Sequence, residues 1–250
     1  MASEPKLYAL PGSHPCAAVE AALRLKSIPY KRVDLLPTME VAFGPMLYGG
    51  KTVPGMRIGG ERLLGSRTIM RRLDELTPEP ALLPPASDPA ARARVLEAEA
   101  WGDEVLQSVP RRVIDAAFMR QPAAMESYAA NAKLPLPRAL LRPGLPLTAR
   151  LMARKNQARD ESVEVDLAAL PRQLDQVDDW IAGGLLGGDP PNAADLQIGS
   201  TIRLLMSIGD VRPLIEARPA AALTRYFPPM VGEVPAGVLP ADWLAPTSSS

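Results

Sequence analysis

Cysteine and histidine each occur once in the 250 residues, as Cys16 and His14. A lone cysteine closes no internal disulfide and excludes both a multi-cysteine zinc site and an internal CxxC redox couple. No metal is therefore expected, and the residue types suit a reducing, cytoplasmic setting. Aromatic residues are only 4% of the chain, so the core has to be built from Leu, Val, Ala and Met. Neither sign of charge is in excess, because 28 Lys and Arg balance 28 Asp and Glu. That balance offers no general attraction to nucleic acid or to an anionic membrane. No apolar run approaches the roughly 18 residues of a membrane span. The opening residues, MASEPKLYAL, lack the apolar centre of a signal peptide. No nucleic-acid partner and no integral membrane segment are expected.

Proline is what the chain has in plenty, 28 residues that punctuate a regular order of elements. Lys6 to Leu10 reads as a short strand, and Pro15 to Lys26 as a helix with Val19, Ala22 and Leu23 on one face. Ile28 to Leu36 reads as a second strand, followed by an irregular stretch with room for a short helix. GMRIGGERLLGS, residues 55–66, reads as two strands joined at Gly59-Gly60, and Ile69, Leu73 and Leu76 share a face of the next helix. The order is β-α-β, a connector, then β-β-α.

Residues 77–90 hold five prolines in fourteen and mark a boundary. The division expected is a first domain over 1–78, a Pro-rich linker over 79–90, and a helical domain with a Pro-rich tail over 91–250. In that last part Ala98, Trp101 and Val105 share a face, as do Leu167, Leu170, Leu174, Val177 and Ile181. The stretch from Pro191 to Gly209 is apolar on most sides and reads as a central buried helix. The tail beyond Arg225 is expected to wrap the surface, with PTSSS at its end frayed.

Five stretches carry polar groups where chemistry is possible. Ser13, His14, Pro15 and Cys16 open a helix, where unpaired N–H groups and the dipole favour an anion. Ser13 is either the helix cap or a hydroxyl donor to a ligand thiolate. Cys16, one turn in, is either a buried small residue or a thiol of lowered pKa, and His14 reads as a solvated turn residue. Thr52, Val53 and Pro54 precede the hairpin; a cis bond before Pro54 would present the Val53 backbone to a ligand. Gly65, Ser66 and Arg67 start the third helix, with Ser66 a natural cap or part of a carboxylate site. Asn192 and Asp195 have the spacing of a reciprocal capping box and read as structural. Residues Ser127 to Arg159 hold seven Lys and Arg and no acid. They form a solvated crossover, a cation-rimmed apolar pocket, or a membrane-surface contact.

In order and spacing these stretches resemble the glutathione S-transferase superfamily. The resemblance rests on LYALPGSHPCAAVEAALRLKSIPYKRVDL, on GKTVPGMRIGGERLLGSRTIMRRLDEL and on NAADLQIGSTIRLL. It implies an α/β thioredoxin-like N-terminal domain followed by an all-α domain. Ser13 falls where serine-type, theta-like members keep the hydroxyl that holds the glutathione thiolate. Thr52 and Val53 precede the family's cis-proline, Pro54, and Gly65, Ser66 and Arg67 fall where the γ-glutamyl carboxylate binds. Three departures stand out. Gly65 replaces the usual Glu or Gln, Ala9 occupies the tyrosine-type position, and Ser13 replaces the first cysteine of a glutaredoxin-like motif.

The function this implies is conjugation of the glutathione thiolate to a small apolar electrophile, with glutathione as substrate, no metal, and a homodimer as the assembly. A non-catalytic thiol-binding or interaction protein is the second reading. An oxidoreductase or peroxidase using Cys16 is the third, and it requires Cys16 exposed with a lowered pKa.

Overall fold

The structure, a computed structural model, describes residues 4–133 and 137–244, without the side chain of Arg138. Its first part is a four-stranded sheet in the order β2-β1-β3-β4. Strand β1 (Lys6–Ala9) runs parallel to β2 (Lys31–Asp34) and antiparallel to β3 (Gly55–Ile58), which pairs with β4 (Glu61–Leu64). Gly59 and Gly60 both have positive φ, +57° and +89°, as a two-residue hairpin turn of this hand demands. Helix α1 (His14–Leu25) makes the crossover from β1 to the parallel β2. Helices α2 (Met39–Leu47) and α3 (Ser66–Leu76) complete a thioredoxin-like β-α-β, β-β-α unit.

Strand alternation divides the first core. Leu7 and Met56 join Val19, Leu23, Ile69 and Leu73 in the main cluster, while Tyr8 stacks on Tyr48, 5.2 Å between centroids, beside Leu35 on the opposite face. One boundary and one packed position differ from expectation. The second strand begins at Lys31, not Ile28, because Ser27 takes φ +54° and the Ile28 N–H donates to Leu23 O, finishing α1. Leu76, expected on the packed face of α3, is exposed at the helix end.

No helix or strand falls between Leu76 and Pro89, yet this segment is firmly held. The buried Lys26 ammonium donates to Asp74 and to the carbonyls of Thr77 and Pro80, at 2.6–2.8 Å. Leu82, fully buried, donates its N–H to Asp74 and accepts from the Ala193 N–H.

Helices follow: α4 (Pro89–Trp101), α5 (Ser108–Arg120), α6 (Met125–Tyr128), α7 (Arg138–Leu141), α8 (Leu145–Asn156), α9 (Asp160–Ala182) and α10 (Ala193–Leu205). Helix α10 is buried on all sides except at Arg203, so its Leu and Ile side chains contribute about 1.5–3 kcal/mol each through burial. A π turn over Gly102–Leu106 joins α4 to α5. A Cβ on Gly102 would lie 2.7 Å from Ile198 Cγ1, so only glycine admits α10 this closely. The wider turn also shifts the helical phase. Val105, expected to share the packed face of Ala98, is therefore 41% exposed. In α9, Leu167, Leu170, Leu174 and Val177 are buried, and Ile181 is partly so. The Pro-rich tail turns back over the helices, with Val234 bridged to Ile208 and Trp243 buried. The terminal PTSSS lies outside the described residues.

Candidate functional site

Ser13 stands at the N-cap of α1 in extended conformation, but its side chain makes no capping hydrogen bond. The hydroxyl is thus not consumed by the local role that would otherwise explain a serine here. Pro15 occupies the first turn, where its missing N–H costs nothing.

Of the two neighbours of this hydroxyl, His14 departs from the solvated residue expected, and Cys16 takes the buried alternative that the sequence offered. His14 is the first helical residue and 2% exposed, not a solvated turn residue, because the chain around Gln107 packs over the helix start. Burial first, and then the charge of Arg111, hold its pKa well below the usual value, so the ring is neutral. Its Nε2 has no hydrogen-bond partner. Cys16 is 1% exposed, and burial pushes its thiol up to about 11 against a smaller downward pull from the Ser13 hydroxyl. The exposed, acidic thiol that a Cys16-based oxidoreductase requires is absent.

The second stretch lies close by. The Val53–Pro54 peptide is cis. Pro54 O accepts from the Gly65 N–H at 2.9 Å, so the turn before β3 and the start of α3 are adjacent. Gly65, with φ +86°, is the N-cap of α3 and Ser66 its first residue, one position later than the expected cap. The Ser66 hydroxyl is buried and donates to Gln197 Oε1 of α10 at 2.9 Å. Arg67 faces acids of the helical part, with Glu104 at 3.2 Å and Glu99 and Asp103 at 3.8 Å.

A cavity of about 520 Å3 opens above the start of α1. Ser13, His14, Thr52 and Val53 line it from the sheet side; Gly65, Ser66 and Arg67 do not. Its opposite wall is α5 and α8, with Ile114, Phe118, Leu145 and Met152 as apolar surface and Arg111, Asp115, Lys155 and Asn156 as polar points. Asp115 is fully buried beneath it. Asn156 Nδ2 donates to one carboxylate oxygen at 2.7 Å, and the other oxygen is unpartnered. Burial raises this carboxyl to about 7, against the smaller lowering influences of Asn156, Arg111 and Lys155.

Sequence reading missed Arg111, Asp115 and the ion pair of Lys155 with Glu40. The available signal was a charged residue inside the apolar run Ile114 to Phe118, where a buried polar group stands out. Asn192 and Asp195 form the reciprocal capping box of α10, at 2.9 and 3.0 Å, and Asp195 also accepts from the Gly187 N–H. This pair lies outside the cavity wall.

Residues 7–81 match the model of the family described as glutathione S-transferase, N-terminal domain. No curated protein matches the sequence. Among solved structures, the chain is similar to glutathione transferase F7 from Populus trichocarpa, at 16% identity over 89% of this chain and 91% of that one, with a TM-score of 0.57. It is similar to a glutathione S-transferase from Sinorhizobium meliloti, at 17% identity over 97% and 98%, with a TM-score of 0.55. A third is the β-etherase LigF from Sphingobium, at 21% identity over 90% and 98%, with a TM-score of 0.53. The fold is that of the glutathione transferases, a thioredoxin-like part followed by a helical one. The first third of the chain carries the family's N-terminal domain signature. Among the described residues, no helix is long and apolar enough to cross a membrane.

Proposed function

We propose that the protein is a glutathione transferase that holds the glutathione thiolate at Ser13 and adds it to an apolar electrophile in the cavity. The observation that carries this reading is the uncapped Ser13 hydroxyl, opening on the same cavity as the Val53 backbone before cis-Pro54. The hydroxyl would donate to the sulfur, while the first amides of α1 and its dipole favour the negative charge. Each pKa unit by which the thiol is lowered corresponds to about 1.4 kcal/mol in favour of the thiolate. In the chemical step the sulfur lone pair forms a bond to the electrophilic carbon. A halide leaves with the bonding pair, or an activated alkene takes up a proton from solvent. The chain then supplies proximity and thiolate stabilisation, with no general acid required.

The start of α3 supports a second reading, a thiol-binding protein without turnover. Gly65 offers no side chain, the Ser66 hydroxyl is engaged by Gln197, and Arg67 by three acids. Calorimetric titration with glutathione at two pH values, for wild type and Ser13→Ala, tests both. Binding with proton release in the wild type, reduced in Ser13→Ala together with a roughly hundredfold fall in conjugation rate, supports the transferase. Binding without turnover of any alkyl halide or activated alkene supports the second reading. No binding at millimolar glutathione removes both.

A further inference from the structure

Among the described residues, the cations of the cavity wall are paired with acids, except Arg111. Arg142 holds Glu126 at 2.9 Å, and Lys155 holds Glu40 at 2.5 Å. Arg111 makes no ion pair among the described residues, and its hydrogen bond goes to the Gln107 side-chain oxygen one turn back. Burial lowers its pKa, but a guanidinium starts so high that it remains a cation. Among the described residues, most of its five N–H donors have no protein acceptor, beside an apolar wall of Ile114, Phe118 and Met152.

The groups around Arg111 leave its charge available. Asp103 already accepts from Gln107 Nε2 at 2.7 Å and faces Arg67. His14 and Cys16 are neutral. Asp115, one turn further along α5, takes its hydrogen bond from Asn156 and keeps one buried oxygen unpartnered. A half-buried cation without a counter-charge and an unsatisfied buried carboxyl oxygen stand together on the wall of an apolar cavity, and the buried oxygen is costly unless a ligand completes it.

We propose that the second substrate carries a carboxylate on an apolar body, and that Arg111 receives that carboxylate. A carboxylate matches the planar fork of a guanidinium with two parallel hydrogen bonds. The protonated form of Asp115 can donate to the same group through its free oxygen, while Phe118 and Met152 cover the apolar body. This rests on the reading of the cavity as the electrophile site. A carboxylate of the thiol tripeptide itself has the same chemistry, and the test separates the two.

The test is calorimetric titration with hydrocinnamate and with its uncharged amide, without thiol, for wild type, Arg111→Gln and Arg111→Lys. Wild type is expected to prefer the carboxylate by about tenfold or more, from the strength of charged hydrogen bonds. Arg111→Gln should abolish the preference, and Arg111→Lys should keep part of it, since charge remains but the fork is lost. Equal affinity of wild type for acid and amide overturns the proposal, as does no binding of either. Because that comparison needs no variant, it holds even where Arg111→Gln fails to fold. A parallel glutathione titration completes the test. If Arg111→Gln loses glutathione but keeps the preference for hydrocinnamate over its amide, the guanidinium serves the tripeptide and the proposal falls. Since no thiol is present in the main arm, its outcome is independent of whether Ser13 holds a thiolate.

Discussion

Lys155 of α8 reaches across the cavity to Glu40 of α2, with Nζ 2.5 Å from Oε1, and Glu40 is 2% exposed. The pair ties the helical part to the thioredoxin-like part directly above the candidate site. Removing the lysine leaves a buried carboxylate alone, which costs more than the pair contributes. Because Lys155 is about one-third exposed, solvent limits the effect. Lys155→Met is expected to lose about 2 kcal/mol, a melting point lower by about 4–8 °C. Replacing both residues, with Glu40→Leu added, should recover much of that loss. A double-mutant cycle in urea measures it, and a fully additive loss would count against the pairing.

Asp115 makes stability depend on pH in a direction opposite to that of a salt-bridged acid. Its folded pKa is raised from 3.8 to about 7, so between those values the folded state keeps a proton that the unfolded chain releases. Stability therefore falls as pH rises from about 4 to 7, with a slope of up to about 1.4 kcal/mol per unit, and the loss is complete above 7. Asp115→Asn should flatten that slope and be the more stable protein at pH 8. Urea midpoints at pH 5 and pH 8 decide it, and an unchanged slope would mean that Asp115 ionises normally.

Cys16, pushed up to about 11 by burial, is expected to be inert in the folded protein. Ellman's reagent at pH 7.5 should label it only after denaturant is added. Cys16→Ala, which leaves a small apolar residue in place, should change conjugation less than twofold. Rapid labelling of the native thiol would restore the oxidoreductase alternative.

The Ser66 hydroxyl and Gln197 join α3 to α10 through a buried hydrogen bond. Ser66→Ala strands the Gln197 oxygen and should cost about 1–3 kcal/mol of stability. If Ser66 acts only there, the affinity for glutathione stays within twofold. A tenfold weaker affinity would mean that the start of α3 also touches the ligand.

Much of this protein was legible in its residues. The thioredoxin-like order followed from local signals: a Pro at the first turn of α1, Gly59-Gly60 between two short strands, and period-2 runs beside period-3.6 runs. These are nearest-neighbour effects, so a single chain displays them. Asn192 and Asp195 were readable for the same reason, since a capping box spans only four positions. The stop at Ser27 was not, because a serine carries out a turn that glycine usually signals.

What only the tertiary structure decided lies across the cavity. The sequence drew attention to the basic stretch Ser127 to Arg159, where Arg142 and Lys155 do line the wall, but both are neutralised by acids from elsewhere in the chain. Among the described residues of the wall, the cation without an ion pair is Arg111, next to Arg112, which Asp166 of α9 holds in a two-pronged pair. Two adjacent arginines look alike in a sequence. Helical rotation sends one to an acid and the other to an apolar cavity, and only packing between α5, α8 and α9 sets which is which. His14 and Cys16 make the same point. Local spacing put them at a helix start, while burial, a property of everything packed around them, left both uncharged.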